Sequence, residues 1–543
     1  MTATQRASAR QRIRARFLVA TATAAALTLG GACSSGGDEP ADPAPAGAGP
    51  SYQEGFVGPA DGGDPVDGGE LTFAAYAEPA SLDPAVTVAG GPAGGSLLIA
   101  LYDVLVRYDA ESETFVPQLA ESLEPDEDFT TWTLTLRDGA TFSDGSPLDS
   151  AAVKASQERY VAKPGPESAL WSTAVAAIRA PDPRTVVYEL AGPWSLFPSI
   201  LSTGPGMIVA PSVDEGSAFT PIGAGAFVLD HWAPQEELVY RANEDYWDGP
   251  PHLDQLRAVF LNDQEASVDS LASASVDMAL IRDPDKVDAL LDDETGGYLN
   301  LLAGGNVALI NAEEGRPGAD PRVRQAMALA IDPAAINERA FQGHGLAGST
   351  LFLDYSRWHT TTTGPDHDPD RAEALLEEAK ADGYDGTVHY VDGSDPASRA
   401  VALTVKASLE AVGFTVDLDL KRSVADQITA VAVNRDYDVT GWGLNLREGD
   451  PFSPLYAALD SSSSSTFGMA TSPELDGLLS ELMAAPDADA QLDVMDRIQQ
   501  QLDTQVPILT WGPIAELNAW RPGVHGVVGT ISSMVLFSKA WVE

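Results

Sequence analysis

Cysteine is almost absent from this chain of 543 residues, since Cys33 is the single one. No disulfide bond can form within the chain, so its fold must be stabilised by a hydrophobic core. Basic residues are also scarce: 32 Lys and Arg stand against 80 Asp and Glu, which gives a formal net charge of −48. A surface of this sign repels phosphate backbones, which argues against nucleic-acid binding.

Several signatures of catalysis and energy coupling are missing as well. The chain contains no Gly-x-Ser-x-Gly nucleophile elbow, no His-Glu-x-x-His zinc pair and no P-loop. Its 7 histidines are scattered without the spacing of metal ligands. We therefore expect no catalytic residue, no cofactor and no metal site. A secreted hydrolase that uses a pair of carboxylates is a remote alternative.

Residues 1–33 have the pattern of a bacterial export signal. Five arginines without an acidic residue precede an apolar core from Phe17 to Leu29, which is too short to span a bilayer as a mature helix. Cys33 follows three small residues, as in lipoprotein signals whose cysteine becomes the lipidated first residue. Gly30 occupies the position where such signals usually carry leucine, so an ordinary secretory signal is the alternative.

Residues 34–67 are mainly Gly, Pro, Ala, Ser and Asp, with almost no large apolar side chains. Such a segment cannot bury enough surface to offset the entropy of ordering, which predicts a flexible tether. We expect an extracytoplasmic protein, anchored to the outer face of the cell membrane as a lipoprotein through Cys33. The folded part then starts at Gly68.

Beyond the tether, short β-type runs alternate with amphipathic helical segments, which is the pattern of an α/β protein. Three Asp-Pro pairs predict helix starts at Asp320, Asp332 and Asp368, because Asp caps a helix and Pro fits its first position. Ser150 is the predicted cap of a further helix over 151–160.

A series of segments, in order, carries a family resemblance. They are Ser81-Leu-Asp-Pro84, Leu105-Val-Arg-Tyr108, Pro117-Gln-Leu-Ala-Glu-Ser122, Leu136-Arg-Asp-Gly139, Arg241-Ala-Asn-Glu-Asp-Tyr-Trp247 and Asp320-Pro-Arg-Val-Arg-Gln-Ala326. They resemble the extracellular solute-binding proteins of family 5, the substrate-binding lipoproteins of peptide- and nickel-type ABC importers. The resemblance runs from about Gly68 to the C-terminus.

The resemblance implies a two-lobed fold of the periplasmic-binding-protein type II, with an extra subdomain in the first lobe. The implied division is lobe I over 68–105, 220–305 and 510–543, the extra subdomain over 106–219, and lobe II over 306–509. The lobes of such proteins close over a solute without changing it and deliver it to a membrane permease driven by an ATPase. Members are usually monomers.

In peptide-binding relatives, an aspartate three residues after a matching Trp pairs with the α-amino group of the peptide. Counting from Trp442 places Asn445 at this position, and an amide cannot neutralise an ammonium group. Two hypotheses stay open: Asp450 or Glu448 takes over, or the ligand lacks a free N-terminal amine. The resemblance predicts ligand contacts at Trp442, Asn445, Asp450, Val88, Ala89 and Gly90.

The solute itself is left open by these patterns. An oligopeptide is the first hypothesis, and a non-peptide solute such as a metal chelate or a glycoside is the second. A third hypothesis keeps the same scaffold but assigns it to ligand sensing through a partner instead of uptake.

Overall fold

The computed structural model describes residues 52–59, 62–163, 165–216, 218–261 and 263–543. The predicted export signal with Cys33, and the predicted tether up to residue 51, lie outside the described residues. In the part that the structure describes, no helix is both long and apolar enough to cross a membrane.

The described strands form one large mixed sheet, a separate four-stranded sheet and three two-stranded sheets. The strands are β1 (Gly55–Val57), β2 (Glu70–Ala75), β3 (Val106–Asp109), β4 (Thr114–Pro117), β5 (Ala120–Pro125), β6 (Thr131–Leu136), β7 (Val175–Asp182), β8 (Thr185–Leu190), β9 (Phe227–Ala233), β10 (Glu237–Ala242), β11 (Gln255–Phe260), β12 (Met278–Ile281), β13 (Gly296–Ile310), β14 (Thr387–Gly393), β15 (Thr415–Lys421), β16 (Val439–Trp442), β17 (Ile508–Trp520), β18 (Val524–His525), β19 (Val528–Gly529), β20 (Val535–Leu536) and β21 (Trp541–Val542).

Helices of the described part cover and connect these sheets. The α-helices are α1 (Gly95–Tyr102), α2 (Ser150–Val161), α3 (Ser168–Ala174), α4 (Gln264–Ala272), α5 (Pro284–Asp292), α6 (Pro321–Ala330), α7 (Pro333–Phe341), α8 (Pro369–Ala381), α9 (Pro396–Ala411), α10 (Val424–Ile428), α11 (Phe452–Leu459), α12 (Pro473–Ala484) and α13 (Ala488–Gln505).

The predicted Asp-Pro helix starts are confirmed. The side chains of Asp320, Asp332 and Asp368 each accept a hydrogen bond from a backbone N–H in the first turn, with proline at the start of α6, α7 and α8. The prediction for Ser150 is wrong. Asp149 caps α2 instead, and the Ser150 hydroxyl donates to the carbonyl of Asp182.

The large sheet runs in the order β15-β14-β16-β13-β17-β12-β2-β11-β10-β9, with β1 paired to β13. We call the part from β12 to β9, with the adjoining halves of β13 and β17, lobe I. The part from β16 to β15, with the other halves, is lobe II. In lobe II, α6, α8 and α9 pack on this sheet around a separate core that includes Ile310, Met327, Leu376 and Val405. The predicted lobe boundaries at 305/306 and 509/510 stay predictions.

The two long strands β13 and β17 pass from one lobe to the other, and their pairing is interrupted once. Their register shifts between Leu302 and Asn306, opposite Gly512. Gly304 (φ +57°) and Gly512 (φ +154°) have positive φ angles at this break, where glycine is favoured over residues with a Cβ. The side-chain amide of Asn306 donates to the carbonyl of Pro513 across it at 2.9 Å. We call residues 302–306 with 512–513 the hinge.

The N-terminal segment corrects the predicted tether over 34–67. Gly55–Val57 forms β1, which pairs antiparallel with β13 from Gly297 to Leu299. Tyr52 is buried, and its hydroxyl hydrogen-bonds to Asp288 and to the carbonyl of His344. This segment is poor in apolar residues, but a strand that adds to an existing sheet is stabilised by backbone hydrogen bonds and needs few buried side chains. The prediction of a flexible tether is thus wrong for residues 52–57.

The Ser-Leu-Asp-Pro segment is an anchor between the start of lobe I and helix α2. Asp83 is buried and accepts two hydrogen bonds from Arg159, at 2.9 and 2.7 Å, and one from Lys163 at 2.9 Å. Burial alone would raise the pKa of Asp83, but these charged donors outweigh burial and lower it. The carboxylate therefore stays ionised and holds the lobe to the extra subdomain.

A second family segment has an equally structural role. Asp103, fully buried after α1, accepts hydrogen bonds from the Tyr246 hydroxyl at 2.7 Å, the Trp247 ring N–H at 3.1 Å and the Gln118 amide at 3.2 Å. Burial raises the pKa of Asp103, although these bonds oppose the rise. Tyr246 and Trp247 are thus held in place by a buried carboxylate in the core of lobe I.

Replacing Asp83 by Asn should lower the free energy of unfolding by about 2 to 4 kcal/mol, because it removes the buried counter-ion of two partly buried cations and leaves them only the more exposed Asp214. Urea unfolding measured by circular dichroism tests this. The pKa of Asp83 is lowered in the folded state, so its contribution is complete above the unfolded pKa of about 3.9 and disappears as the pH falls through the folded value. The difference in the free energy of unfolding between wild type and variant should therefore disappear at acidic pH.

Glu158→Gln on the same helix is the matched control, since Glu158 forms only an exposed pair with Lys154. It should change stability by no more than about 0.5 kcal/mol. Equal stabilities of Asp83→Asn and wild type at neutral pH would contradict the anchor role.

Candidate functional site

Polar and aromatic side chains follow the carboxyl ends of the strands in lobe I. Tyr76 follows β2 and Arg282 follows β12, and the Arg282 guanidinium lies 4.9 Å from the centre of the Tyr76 ring. Arg282 also pairs at 2.7 Å with Glu516 of β17, whose side chain has no solvent exposure. In open α/β sheets, ligands bind outside the carboxyl ends of the strands. This end of the sheet is therefore one wall of the candidate site.

The opposite wall belongs to lobe II. Asp283, next to Arg282, has a pKa raised mainly by burial and also by the negative charge of Asp395. Asp395 caps α9, which follows β14 of lobe II. Asp395 is thus close enough to Asp283 to act on its charge, which places the start of α9 in lobe II near the strand ends of lobe I.

Trp442 is the last residue of β16 and pairs with Val307 of the long strand β13. Its side chain is half-buried, and its ring lies edge-on to Phe467 at 5.7 Å between centres. Part of this ring therefore packs in lobe II, while the remainder is accessible at the strand end that faces the cleft.

The loop that follows Trp442 is hydrogen-bonded to the hinge. The N–H of Leu444 donates to the carbonyl of Gly304 at 2.8 Å. Leu446 and Ala303 exchange two backbone hydrogen bonds, at 2.8 and 3.1 Å. Where β13 loses its pairing to β17, it is paired to this loop instead. A ligand that displaces this loop therefore also displaces the hinge residues bonded to it.

Asn445 lies at the exposed tip of this loop. Its φ of 53° is in the left-handed region, which asparagine tolerates better than most residues. Within the described residues its side-chain amide forms no hydrogen bond. The amide is thus unpaired in this structure and carries no charge, and its contact with a solute stays a prediction.

The two predicted substitutes for the missing carboxylate point inward. Asp450 is only 2 % exposed, and its carboxylate accepts the N–H of Ser453 at 3.0 Å in the first turn of α11. Burial raises the pKa of Asp450. Glu448 is covered by Arg357 and Trp358, which donate to its carbonyl at 2.7 and 2.8 Å. In this structure the Asp450 carboxylate is bonded to the first turn of α11, and its role as a ligand contact stays a prediction.

The predicted lobe I contacts differ in accessibility. Val88 is 57 % exposed, whereas Ala89 is fully buried and offers only its backbone. Gly90 lies against the lobe II loop: a Cβ at this position would be 3.9 Å from Nη2 of Arg447 and 3.8 Å from the Ser532 hydroxyl. The structure thus brings the 88–90 segment together with the loop after Trp442.

Arg447, Ser532 and Asn300 were missed by the sequence reasoning. Together with Glu54, Tyr108, Glu448 and others they line a small cavity beside Gly90. The only sequence signal for Arg447 was its place two residues after Asn445, and Ser532 and Asn300 had none. In the described residues no group of three or more His, Cys, Asp or Glu side chains is arranged to hold a metal ion.

Comparisons with known proteins agree with this geometry. The family model of bacterial extracellular solute-binding proteins, family 5 Middle, matches residues 114–466. The chain is 26% identical over 400 residues to the probable D,D-dipeptide-binding periplasmic protein DdpA of Escherichia coli K12, covering 70% of this chain and 76% of that protein.

Solved structures share the fold over most of the chain. AgaA of A. tumefaciens R10, in complex with agropinic acid, has a TM-score of 0.72 and 25% identity and covers 88% of this chain and 99% of its own. The oligopeptide-binding protein AppA of Bacillus subtilis, in complex with a nonapeptide, has a TM-score of 0.75 and 18% identity, with coverage of 88% and 100%.

The family model matches well over half of the chain, and the solved structures share its fold. The chain therefore belongs to family 5 of the bacterial extracellular solute-binding proteins and is the substrate-binding component of an ABC import system.

Proposed function

We propose that this protein captures an oligopeptide between its lobes, without altering it, and delivers it to the membrane permease of its importer. The observation that carries the proposal is the loop after Trp442, which offers a free Asn445 amide to the cleft and is hydrogen-bonded to the hinge at Ala303 and Gly304. The backbone hydrogen bonds between this loop and the hinge then couple solute binding at the loop to closure of the lobes. The relative that binds D,D-dipeptides and the nonapeptide complex support a peptide.

A non-peptide organic acid is the second candidate, and a specific observation favours it. Asn445 replaces the charged acceptor that would neutralise a peptide amine, and both nearby carboxylates, Asp450 and Glu448, are turned inward. The AgaA complex with agropinic acid is a member of this fold with such a ligand. In either case the solute leaves the cleft unchanged, so we propose no enzymatic activity.

Protein produced in its own host should carry its solute through purification. We expect mass spectrometry of the denatured protein to release a discrete peptide or organic acid. Adding this compound back to protein refolded without it should change tryptophan fluorescence and reduce the radius of gyration measured by small-angle X-ray scattering. The compound should have the same mass after incubation.

A radius of gyration unchanged by any co-purified compound, or by a screen of peptides and organic acids, would contradict capture by closure. A change of mass that requires the folded protein would contradict the binding-only role and favour the hydrolase alternative.

Asn445→Asp should restore recognition of a free peptide amine. The aspartate adds a negative charge at the exposed tip of the loop, and charge-assisted hydrogen bonds are about twice as strong as neutral ones. We expect tri-alanine to bind the variant at least about tenfold more tightly than wild type in isothermal titration calorimetry.

Two controls separate this effect from a general change of charge. N-acetyl-tri-alanine, which lacks the amine, should gain nothing from Asn445→Asp. Asn434→Asp, at another exposed position of lobe II, should leave tri-alanine binding unchanged. An equal gain for the acetylated peptide would exclude amine recognition at residue 445.

Attachment to the membrane is a further part of the proposal and rests on the sequence of residues 1–33. We propose that Cys33 is lipidated, that the protein is displayed on the outer face of the cell membrane, and that it acts as a monomer. A single acyl chain binds membranes only marginally, so stable anchoring through Cys33 needs the additional chains of a bacterial lipoprotein.

Cys33→Ala should release the protein from the membrane fraction into the medium or remain unprocessed. Fractionation of host cells with detection by antibody measures this, and metabolic labelling with a palmitate analogue should label wild type only. Wild type in the soluble fraction without label would show that residues 1–33 are an ordinary secretory signal.

A further inference from the structure

A guanidinium without a hydrogen bond or close ion pair lies between lobe II and lobe I. Arg447 stands two residues after Asn445, and its Nη2 lies 3.9 Å from the position that a Cβ of Gly90 would occupy. Within the described residues the Arg447 side chain forms no hydrogen bond or ion pair, and its charge acts only through space on the buried Asp450, where it opposes the rise of the pKa. Arg282, by comparison, is paired with Glu516 at 2.7 Å. Arg447 is half-buried, so an unpaired charge here has a real desolvation penalty.

Two further donors beside Arg447 have no partner. The Ser532 hydroxyl and the Asn300 Nδ2 amide are buried, at 4 % and 2 % exposure, and neither forms a hydrogen bond within the described residues. Both residues line the same small cavity as Arg447. Buried polar groups without partners are uncommon in folded proteins, so each needs a partner that the rest of the protein does not supply, either an ordered water or a bound group.

The orientation of these donors is set by the backbone. Ser532 and Ser533 both have left-handed φ angles, 62° and 58°. The N–H of Ser533 donates to Asn300 Oδ1 at 3.2 Å, and the Asn518 amide donates to the Ser533 carbonyl at 2.9 Å. Because the oxygen of Asn300 is engaged, its NH₂ is the group left for the cavity. Two strained residues are thus held in place, as is common at ligand sites.

Within the described residues, the two carboxyl groups in the cavity wall form no ion pair with Arg447. Glu54 and Glu448 also line it, and burial, together with their mutual repulsion in the case of Glu54, raises the pKa of both. The pKa of Glu54 is about 8. Glu54 is therefore mainly protonated at neutral pH, and a protonated carboxyl can itself donate a hydrogen bond.

We propose that Arg447, Ser532 and Asn300 form a subsite for a carboxylate of the captured solute. The inference rests on the proposed function and adds to it the class of ligand, a carboxylate-bearing solute, either an organic acid or a peptide bound through its C-terminal carboxylate. A carboxylate accepts two parallel hydrogen bonds from a guanidinium and still has lone pairs for a hydroxyl and an amide. It would satisfy each of the three free donors.

The subsite also gives a reason for closure. Arg447 belongs to the lobe II loop, whereas Ser532 and Gly90 belong to lobe I. A carboxylate held between them links the two lobes directly, and the same loop is bonded to the hinge through Leu446 and Ala303. The strongly negative surface repels anions at long range, so selection for the carboxylate is made by these short-range donors.

Isothermal titration calorimetry with N-acetyl-tri-alanine and its C-terminal amide tests the subsite, since the two probes differ only in the carboxylate. We expect wild type to bind the acid at least tenfold more tightly than the amide. Arg447→Gln should remove this preference by weakening the acid alone, and Ser532→Ala should weaken the acid two- to fivefold. Arg241→Gln, an exposed and unpaired arginine on β10 within the described residues, is the matched control and should bind both probes like wild type.

Circular dichroism of each variant establishes whether it folds. If Arg447→Gln does not fold, the acid and amide affinities of Ser532→Ala are compared instead. Equal binding of acid and amide by wild type, with closure on both, would overturn the subsite and leave the proposed function standing. An equal loss for acid and amide in Arg447→Gln would also overturn it. Failure of wild type to bind either probe would count against the subsite, and only the absence of closure with the co-purified solute would count against the proposed function.

Discussion

The hydrogen-bonded ladder between β13 and β17 is the constraint on which the rest of the structure depends. From Gly296 to Leu302 it joins the strands within lobe I, and from Val307 to Leu309 within lobe II, so a single sheet spans both lobes. Between these stretches the ladder is broken and Ala303 pairs with Leu446 instead. A sheet resists bending along its ladder, so motion of one lobe against the other is confined to the break. The loop that completes the pairing there also carries Asn445 and Arg447, which we propose to bind the solute.

Two of the segments that resemble the family are anchors, whereas Asn445 of the candidate site is a position where the chain departs from the family. Asp83 fixes the start of lobe I to α2 through two cations, and Asp103 holds the Tyr-Trp pair in the core. A buried carboxylate with several donors tolerates few replacements, because each replacement leaves donors unsatisfied. Asn445 and Arg447 have no such partners. The scaffold can therefore stay the same while the solute changes.

Local features were predictable from the sequence, and contacts between distant residues were not. The caps at Asp320, Asp332 and Asp368 depend on the first helical turn alone, and all were confirmed. At α2, two adjacent residues could cap the helix, and Ser150 was the wrong one because its hydroxyl bonds to a distant carbonyl. β1 was mistaken for tether because its partner, β13, lies more than two hundred residues away. Of the site, Trp442 and Asn445 followed from the resemblance, whereas the approach of Arg447 to Gly90 exists only in three dimensions.

Charge acts on a solute at two distances. The net charge of −48 repels anions at long range, and salt screens this repulsion beyond about 10 Å at 0.1 M. Inside, burial raises the pKa of Glu54 to about 8, so this carboxyl is mainly protonated at neutral pH. Within the described residues neither Glu54 nor Glu448 forms an ion pair with Arg447. A solute carboxylate that binds Arg447, as we propose, therefore displaces no ion pair of the protein.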